Sequence, residues 1–113
     1  MIIDIFPFKD NDFTSIYEQA KKLKEMVDEI HRHSSEIQTK FMIIYEEKHD
    51  YSFNKKRGLV YAEYDICRDK MFFEDDFDDR HRFKFLYLWA LPESVPPLAQ
   101  DDEFHTVQVL EWR

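Results

Sequence analysis

Carboxylates are the most concentrated chemically active side chains in this sequence. They form two runs, Glu74, Asp75, Asp76, Asp78 and Asp79 in the first and Asp101, Asp102 and Glu103 in the second. Clustered carboxylates can bind Ca²⁺, but an EF-hand loop needs ligands at alternate positions and a central glycine, and neither run has that pattern. We therefore predict no metal site at either run. Two interpretations remain, a solvated turn or an anionic surface for a basic partner.

An aromatic residue accompanies each acidic run, Phe77 in the first and Phe104 directly after the second. If the two runs lie side by side in the fold, they form one anionic patch with aromatic members. Such a patch can imitate the phosphates of a nucleic acid and occupy the basic groove of a nuclease or DNA-binding enzyme. The predicted partner-binding residues are therefore 74–79 and 101–104.

The five histidines are the other candidates for chemistry. Asp28 with His31, and Glu29 with His33, have spacings that place each pair on one side of a helix. His31 and His33 themselves point to nearly opposite sides, and the sequence identifies no further ligand. We predict neither a metal centre nor a catalytic histidine. The alternative is a small enzyme that uses His, Tyr and carboxylate groups in a sheet-lined pocket, and a deep cavity holding two histidines would favour it.

Several functional classes are excluded by missing residues. Gly58 is the only glycine, so the glycine-rich loops that cradle nucleotide phosphates cannot be built. Cys67 is the only cysteine, which excludes CxxC sites and an internal disulfide framework. We expect no cofactor, and we expect Cys67, at the end of a predicted strand, to be a buried small hydrophobe.

Two basic segments argue for nucleic-acid binding. Residues 55–57 are Lys, Lys and Arg, and residues 80–85 interleave basic groups with phenylalanine as single-strand binders do. The net charge of -8 argues against it, because residues 69–113 hold eleven acidic and five basic residues. A field of this sign repels nucleic acid and attracts basic partners. We therefore predict a basic protein partner and no nucleic acid.

A long helix is predicted over residues 13–40. Apolar residues recur there at spacings of three and four, with Ser34 on the same stripe: Phe13, Ile16, Ala20, Leu23, Val27, Ile30, Ile37 and Phe41. Ser15 and Glu18 fit a capping box, and Asp12 is an alternative cap. Opposite charges four residues apart predict ion pairs on its exposed side: Glu18 with Lys22, Lys21 with Glu25, Lys24 with Asp28 and Arg32 with Glu36. The stripe suits a coiled-coil seam or a sheet-covering face, and the strand-like segments that follow favour the sheet.

Alternating or continuous apolar residues predict strands over 2–6, 41–46, 59–67, 71–73, 83–90 and 107–112. A hairpin turn is predicted at 54–58, where Gly58 would serve the turn. The expected fold is a single α+β domain over residues 1–113. One long N-terminal amphipathic helix packs on a mainly antiparallel sheet of four to six strands.

The N-terminus, MIIDIFPFKD, lacks a basic leader region and is interrupted by Asp4 and Pro7. We expect a cytoplasmic protein with no membrane association, either a monomer or a homodimer. The expected function is non-enzymatic inhibition of a basic nuclease, toxin or nucleic-acid-binding enzyme. Immunity proteins paired with toxins and phage-encoded inhibitors are of this physical type. A third possibility is a homo-oligomeric scaffold joined through the helix stripe or an open sheet edge.

Overall fold

The computed structural model describes residues 5–34, 38–92 and 105–108, the last range as backbone alone. Within these residues the elements are β1 Ile5–Pro7, α1 Ile16–His33, β2 Lys40–Lys48, β3 Lys56–Asp65, β4 Lys70–Phe73, β5 Arg82–Ala90 and β6 His105–Gln108. The strands form one sheet in the order β1-β5-β2-β3-β4-β6, and each neighbouring pair is antiparallel. The predicted α+β class is confirmed.

The helix α1 is shorter than the predicted range 13–40. Its predicted start is confirmed, because Ser15 is the N-cap and its hydroxyl accepts a hydrogen bond from the Glu18 amide at 3.2 Å. It ends at His33, since Ser34 is already extended and Phe41 lies in β2. The apolar residue that ended the predicted stripe, Phe41, does not belong to the helix, because the same residue types also suit a strand. No helix among the described residues is long and apolar enough to cross a membrane.

The ion pairs on α1 match the predicted set in part. Lys24 pairs with Asp28 at 2.5 Å, as predicted. Lys21 instead pairs with Glu18, one turn toward the N-terminus. Arg32 pairs with Glu29, and its predicted partner Glu36 lies outside the described residues. These are exposed or half-exposed pairs, so they contribute little to stability.

One face of the sheet, here called the inner face, packs against α1. The buried side of α1 consists of Ile16, Gln19, Ala20, Leu23, Val27 and Ile30. The inner face supplies Phe41, Ile43, Val60, Ala62, Met71, Phe73, Phe83, Phe85 and Leu88, all with 0% exposure. Alternate residues of each strand point to the opposite side, here called the outer face. Burial of this apolar surface is the main source of stability.

A buried amide joins the helix to the sheet. Gln19 has 0% exposure, and its Oε1 accepts hydrogen bonds from the Phe85 amide and from Asn11 Nδ2, both at 2.8 Å. Asn11 Nδ2 also donates to the Phe85 carbonyl at 2.8 Å. The pairing of β2 with β5 shifts register between Ile44 and Tyr45, opposite this point. The two amide side chains therefore satisfy both backbone groups of Phe85 in the gap between the β1 pairing, which ends at Pro7 opposite Tyr87, and the bridge of Thr14 with Phe83.

Gln19→Leu is expected to lower the free energy of unfolding by about 2 to 3 kcal/mol, because it leaves the buried Phe85 amide without a partner. Urea denaturation of the purified chain measures this. The control is Glu25→Leu, on the exposed side of the same helix, which should change stability by less than about 0.5 kcal/mol. Equal stability of Gln19→Leu and the wild type would contradict the assigned role.

The predicted role of Gly58 in a hairpin turn is wrong. The connection between β2 and β3 is residues 49–55, and Gly58 lies within β3 opposite Tyr45. A Cβ atom at Gly58 would lie 2.5 Å from Cζ of Tyr45. That ring cannot retreat freely, since it packs against Phe77 and Phe83 with ring centroids 5.5 and 6.2 Å away. The glycine is present because an aromatic ring covers its backbone.

Gly58→Ala is therefore expected to destabilise the protein by about 1 to 3 kcal/mol through overpacking. Without the clash, alanine in a strand would be neutral or stabilising. A double-mutant cycle with Tyr45→Leu separates the two effects, because the Gly58→Ala penalty should largely disappear once the ring is removed. An unchanged penalty in the Tyr45→Leu background would mean that the ring is not the cause.

The turn after β3 begins earlier than predicted. β3 ends at Asp65, whose carboxylate accepts a hydrogen bond from the Arg68 amide at 3.1 Å and closes the turn. Ile66, which lies within the predicted strand 59–67, is 50% exposed in the turn that follows β3. Cys67 is exposed as well, so the prediction of a buried cysteine is wrong. A side-chain hydrogen bond ended the strand although the apolar alternation continued.

Candidate partner-binding surface

The first acidic run lies in residues 74–81, which connect β4 to β5. Its first residue, Glu74, extends the pairing of β4 with β3. The Glu74 amide donates to the Tyr61 carbonyl at 3.1 Å, and its Oε1 accepts from the Tyr61 amide at 2.9 Å. This carboxylate is used within the fold.

Phe77 fixes the middle of this connection to the core. Its ring packs edge-to-face on three inner-face rings, those of Tyr45, Phe73 and Phe83, at centroid distances of 5.5, 5.3 and 5.1 Å. Edge-to-face pairs of this kind stabilise beyond the area they bury. Phe77 was predicted from the sequence as a partner-binding aromatic. The structure places it under the acidic run as an anchor.

Asp78 closes the connection by binding Arg80. The carboxylate accepts hydrogen bonds from Nε of Arg80 at 3.0 Å, from Nη2 at 2.9 Å and from the Arg80 amide at 3.0 Å. The Arg80 side chain is the main cause that holds the pKa of Asp78 well below its usual range. Nε2 of His81 lies 3.5 Å from the same carboxylate.

The other three carboxylates, those of Asp75, Asp76 and Asp79, belong to exposed residues. None of them forms an ion pair with a lysine, arginine or histidine in the described part of the chain. The connection thus divides its acidic groups. Glu74 and Asp78 build the loop, and the other three face solvent from it.

The second acidic run and its aromatic residue, Asp101 to Phe104, lie outside the described residues. The strand that follows them is described. Its first residue, His105, pairs with Phe73, the last residue of β4. The first acidic run leaves β4 directly after Phe73. The first acidic run therefore follows Phe73 in the sequence, and the second run with Phe104 precedes His105. Both runs are adjacent in sequence to the same pair of opposed residues, Phe73 and His105.

Two histidines meet beside the acidic loop. The rings of His49 and His81 have centroids 4.2 Å apart, and Nδ1 of His81 lies 2.5 Å from Oε2 of Glu47. They line an open pocket of about 530 Å³ together with Asp50, Tyr51, Ser52 and Arg80. No group of three or more potential metal ligands occurs among the described residues.

The helical histidine pairs have separate surroundings. His33 contacts Glu29 at 2.9 Å as its spacing predicts, and both side chains are more than half exposed. The His31 ring lies 2.6 Å from the Gln38 carbonyl rather than against Asp28. His49 and His81 were not singled out from the sequence. Their proximity follows from the opposition of Lys48 and Arg82 across β2 and β5, which only the strand register reveals.

The two predicted basic segments meet in part, at the ring of Phe13. Lys56 and Arg57 lie in β3, whereas Lys55 lies in the hairpin connection. Three ammonium groups, those of Lys48, Lys55 and Lys84, lie 5.2 to 5.9 Å from the centre of the Phe13 ring. Cation–π contact with the ring supports this arrangement.

The low pKa of Asp78 gives a testable titration. Because the folded-state value lies below the unfolded one, the Asp78 interaction stabilises the loop above about pH 4 and is lost as the pH falls further. Arg80→Gln should raise the pKa of Asp78 toward about 3.9, as followed by carboxyl NMR. Arg68→Gln is the control, since it should raise the pKa of Asp65, which Arg68 lowers, and leave Asp78 unchanged. An unchanged Asp78 in Arg80→Gln would disprove the pairing.

Similarity to known proteins offers no assignment at this point. No family model, curated protein or solved structure matches this chain. Its function has to be inferred from the geometry and charge described above.

Proposed function

We propose that this chain is a non-enzymatic binding protein that inhibits a basic partner by inserting its acidic loop into a cationic groove. The partner class is a nuclease, toxin or other nucleic-acid-acting enzyme, as for immunity proteins and phage-encoded inhibitors. One observation carries the proposal. The loop is fixed by Glu74, Phe77 and Asp78 while Asp75, Asp76 and Asp79 face solvent without an ion-pair partner among the described residues.

A fixed loop suits this role because its carboxylates need little further ordering when they meet a partner. Binding loses affinity to the entropy of ordering side chains and loops, and a loop already held in place avoids much of that loss. The partly buried Phe77 ring supplies the rigidity by packing against the core.

The partner needs an apolar contact as well as charge, since hot spots at interfaces are enriched in aromatic side chains. Tyr51 fits this role better than Phe77. It is 95% exposed and lines the same pocket as Arg80 and His81, beside the acidic loop. We therefore assign Tyr51, which lines a pocket with Arg80 and His81 at the end of the acidic loop, as the aromatic contact.

The overall charge of -8 supports fast association with a cationic surface. Fields of this kind raise association rates, and the effect falls steeply with ionic strength. Carboxylates at the edge of an interface act chiefly on the association rate, whereas the buried centre governs dissociation.

The test neutralises the solvent-facing carboxylates and keeps the loop intact, with Asp75→Asn, Asp76→Asn and Asp79→Asn combined. A basic nuclease retained by the immobilised wild-type chain at low salt serves as the partner. The triple variant should bind it about tenfold more slowly at low salt, with a smaller difference at high salt. Association and dissociation rates are read separately by biolayer interferometry.

The matched control removes three negative charges from the helix instead: Glu18→Gln, Glu25→Gln and Glu29→Gln. This helix variant changes the net charge by the same amount as the loop variant. If the position of the carboxylates determines the association rate, the helix variant should slow binding much less than the loop variant does. Equal association rates for the wild type and the loop variant at low salt would refute the proposal.

A second candidate is a small enzyme that uses the pocket beside the loop. The observation in its favour is that His49 and His81 both line that pocket, with Glu47 in contact with His81. This pocket is open rather than deep, and the two rings contact each other at an angle of 60°. The loop variant leaves both histidines in place. An activity that survives in it would therefore favour the enzyme.

A further inference from the structure

The outer face of the sheet carries an apolar belt. It consists of two adjacent rows of residues paired across β1, β5, β2 and β3: Ile5, Trp89, Met42 and Tyr61 in one row, and Pro7, Tyr87, Ile44 and Leu59 in the other. Three of these side chains are substantially exposed, Ile5 at 54%, Tyr87 at 46% and Leu59 at 44%. Contiguous exposed apolar surface of this kind marks an interaction site.

No described helix or strand packs on this belt. The helix α1 covers the inner face, where Val60, Phe83 and Phe85 have 0% exposure. Sheets with one face against a helix usually present polar residues on the other face. Here two adjacent outer positions in each of four strands are apolar instead.

Charged rows of mixed sign border the belt on both sides. Lys84, Glu46 and Arg57 are paired across three strands on one side. Lys40 and Glu63 are paired on the other side. An apolar centre with a polar rim is the ordinary anatomy of a protein interface.

We propose that this belt is a two-fold interface between two copies of the chain, which pack outer face to outer face. In a two-fold dimer the same surface patch of both copies forms the interface, so this patch must be complementary to itself. Both charged rows contain acidic and basic residues. Each row can therefore face a row of the second copy with opposite charges opposed at some positions. This proposal is independent of the acidic loop.

The acidic net charge does not prevent this association. The outer face of β2 to β5 holds more basic than acidic residues, Lys40, Lys48, Arg57, Lys70, Arg82 and Lys84 against Glu46, Glu63 and Asp65. Two copies therefore meet through faces with a small positive excess, whose basic groups lie outside the apolar belt in solvent that screens them. Long-range repulsion from the remaining carboxylates is screened beyond about 10 Å at moderate salt.

The size of the face suits a dimer. With strands about 4.8 Å apart and about 3.3 Å per residue, the residues of the six strands give a face of roughly 600 Å². Stable interfaces bury about 600 to 1,000 Å² per partner. Face-to-face sheet packing about 10 Å apart is a standard way to bury such surfaces.

Single-stranded nucleic acid is the competing occupant, since aromatic residues on a basic sheet face can stack with bases. The centre of the belt favours protein. Met42 and Ile44 on β2 separate Trp89 and Tyr87 on β5 from Tyr61 on β3, so bases have no continuous aromatic platform there.

The experiment compares the oligomeric state of wild type, Leu59→Glu and Tyr87→Glu by light scattering and sedimentation over a wide concentration range. The wild type should have twice the 14.0 kDa mass of one chain. Each variant should weaken the dimer by tenfold or more, because it places an unpaired charge at the centre of the interface. Both sites are more than two-fifths exposed in the single chain, and circular dichroism checks that the variants fold.

Phe53→Glu is the matched control. Phe53 is 97% exposed in the hairpin connection, away from the belt, so the same charge change should leave the dimer intact. A wild type that stays monomeric at all concentrations would overturn the proposal, as would a dimer insensitive to both belt variants. Binding of a fluorescent mixed-sequence single-stranded oligonucleotide to a monomeric wild type, lost in Leu59→Glu, would assign the belt to nucleic acid instead.

Discussion

The contact between Gln19 and Phe85 is the constraint on which the arrangement of this fold depends. β5 lies between β1 and β2, and on its β1 side the strand pairing ends at Tyr87 and resumes only at the bridge of Phe83 with Thr14, which leaves Phe85 in a gap. An interrupted ladder leaves backbone groups in need of partners, and in a buried strand water cannot supply them. Gln19 and Asn11 supply them from the helix and from the segment before it. The same bonds fix where α1 crosses the sheet, and therefore which sheet face remains uncovered.

Much of the fold could be predicted because local signals agreed with the tertiary structure. The capping pattern at Ser15 marked the true start of the helix, and the apolar stripe through Leu23 and Val27 is its buried side. The alternation of Val60, Ala62 and Tyr64 gave the correct inner face of β3. Each of these patterns has a period set by backbone geometry alone.

The errors came from residues whose role depends on partners distant in sequence. Gly58 carries no local sign that the Tyr45 ring lies over it. The sequence shows Phe77 among carboxylates but not that its ring also packs against Tyr45, Phe73 and Phe83, so its predicted contact with a partner stays a prediction. His49 and His81 become neighbours only through the register of β2 with β5. Composition and spacing contain no information about such contacts.

The sequence does not show how the charges are distributed over the surface of the folded protein. A total of -8 suggests an anionic molecule on every side, yet the strand register sorts the charges by face. Asp75, Asp76 and Asp79 leave the sheet with the loop that Phe77 anchors on the inner face, while Lys48 and Lys84 point from the outer face. Opposite faces of one sheet can therefore serve different partners, because charges on opposite sides of a low-dielectric core are each directed toward their own solvent. A molecule built in this way can offer carboxylates to a cationic protein while its other face meets a second copy.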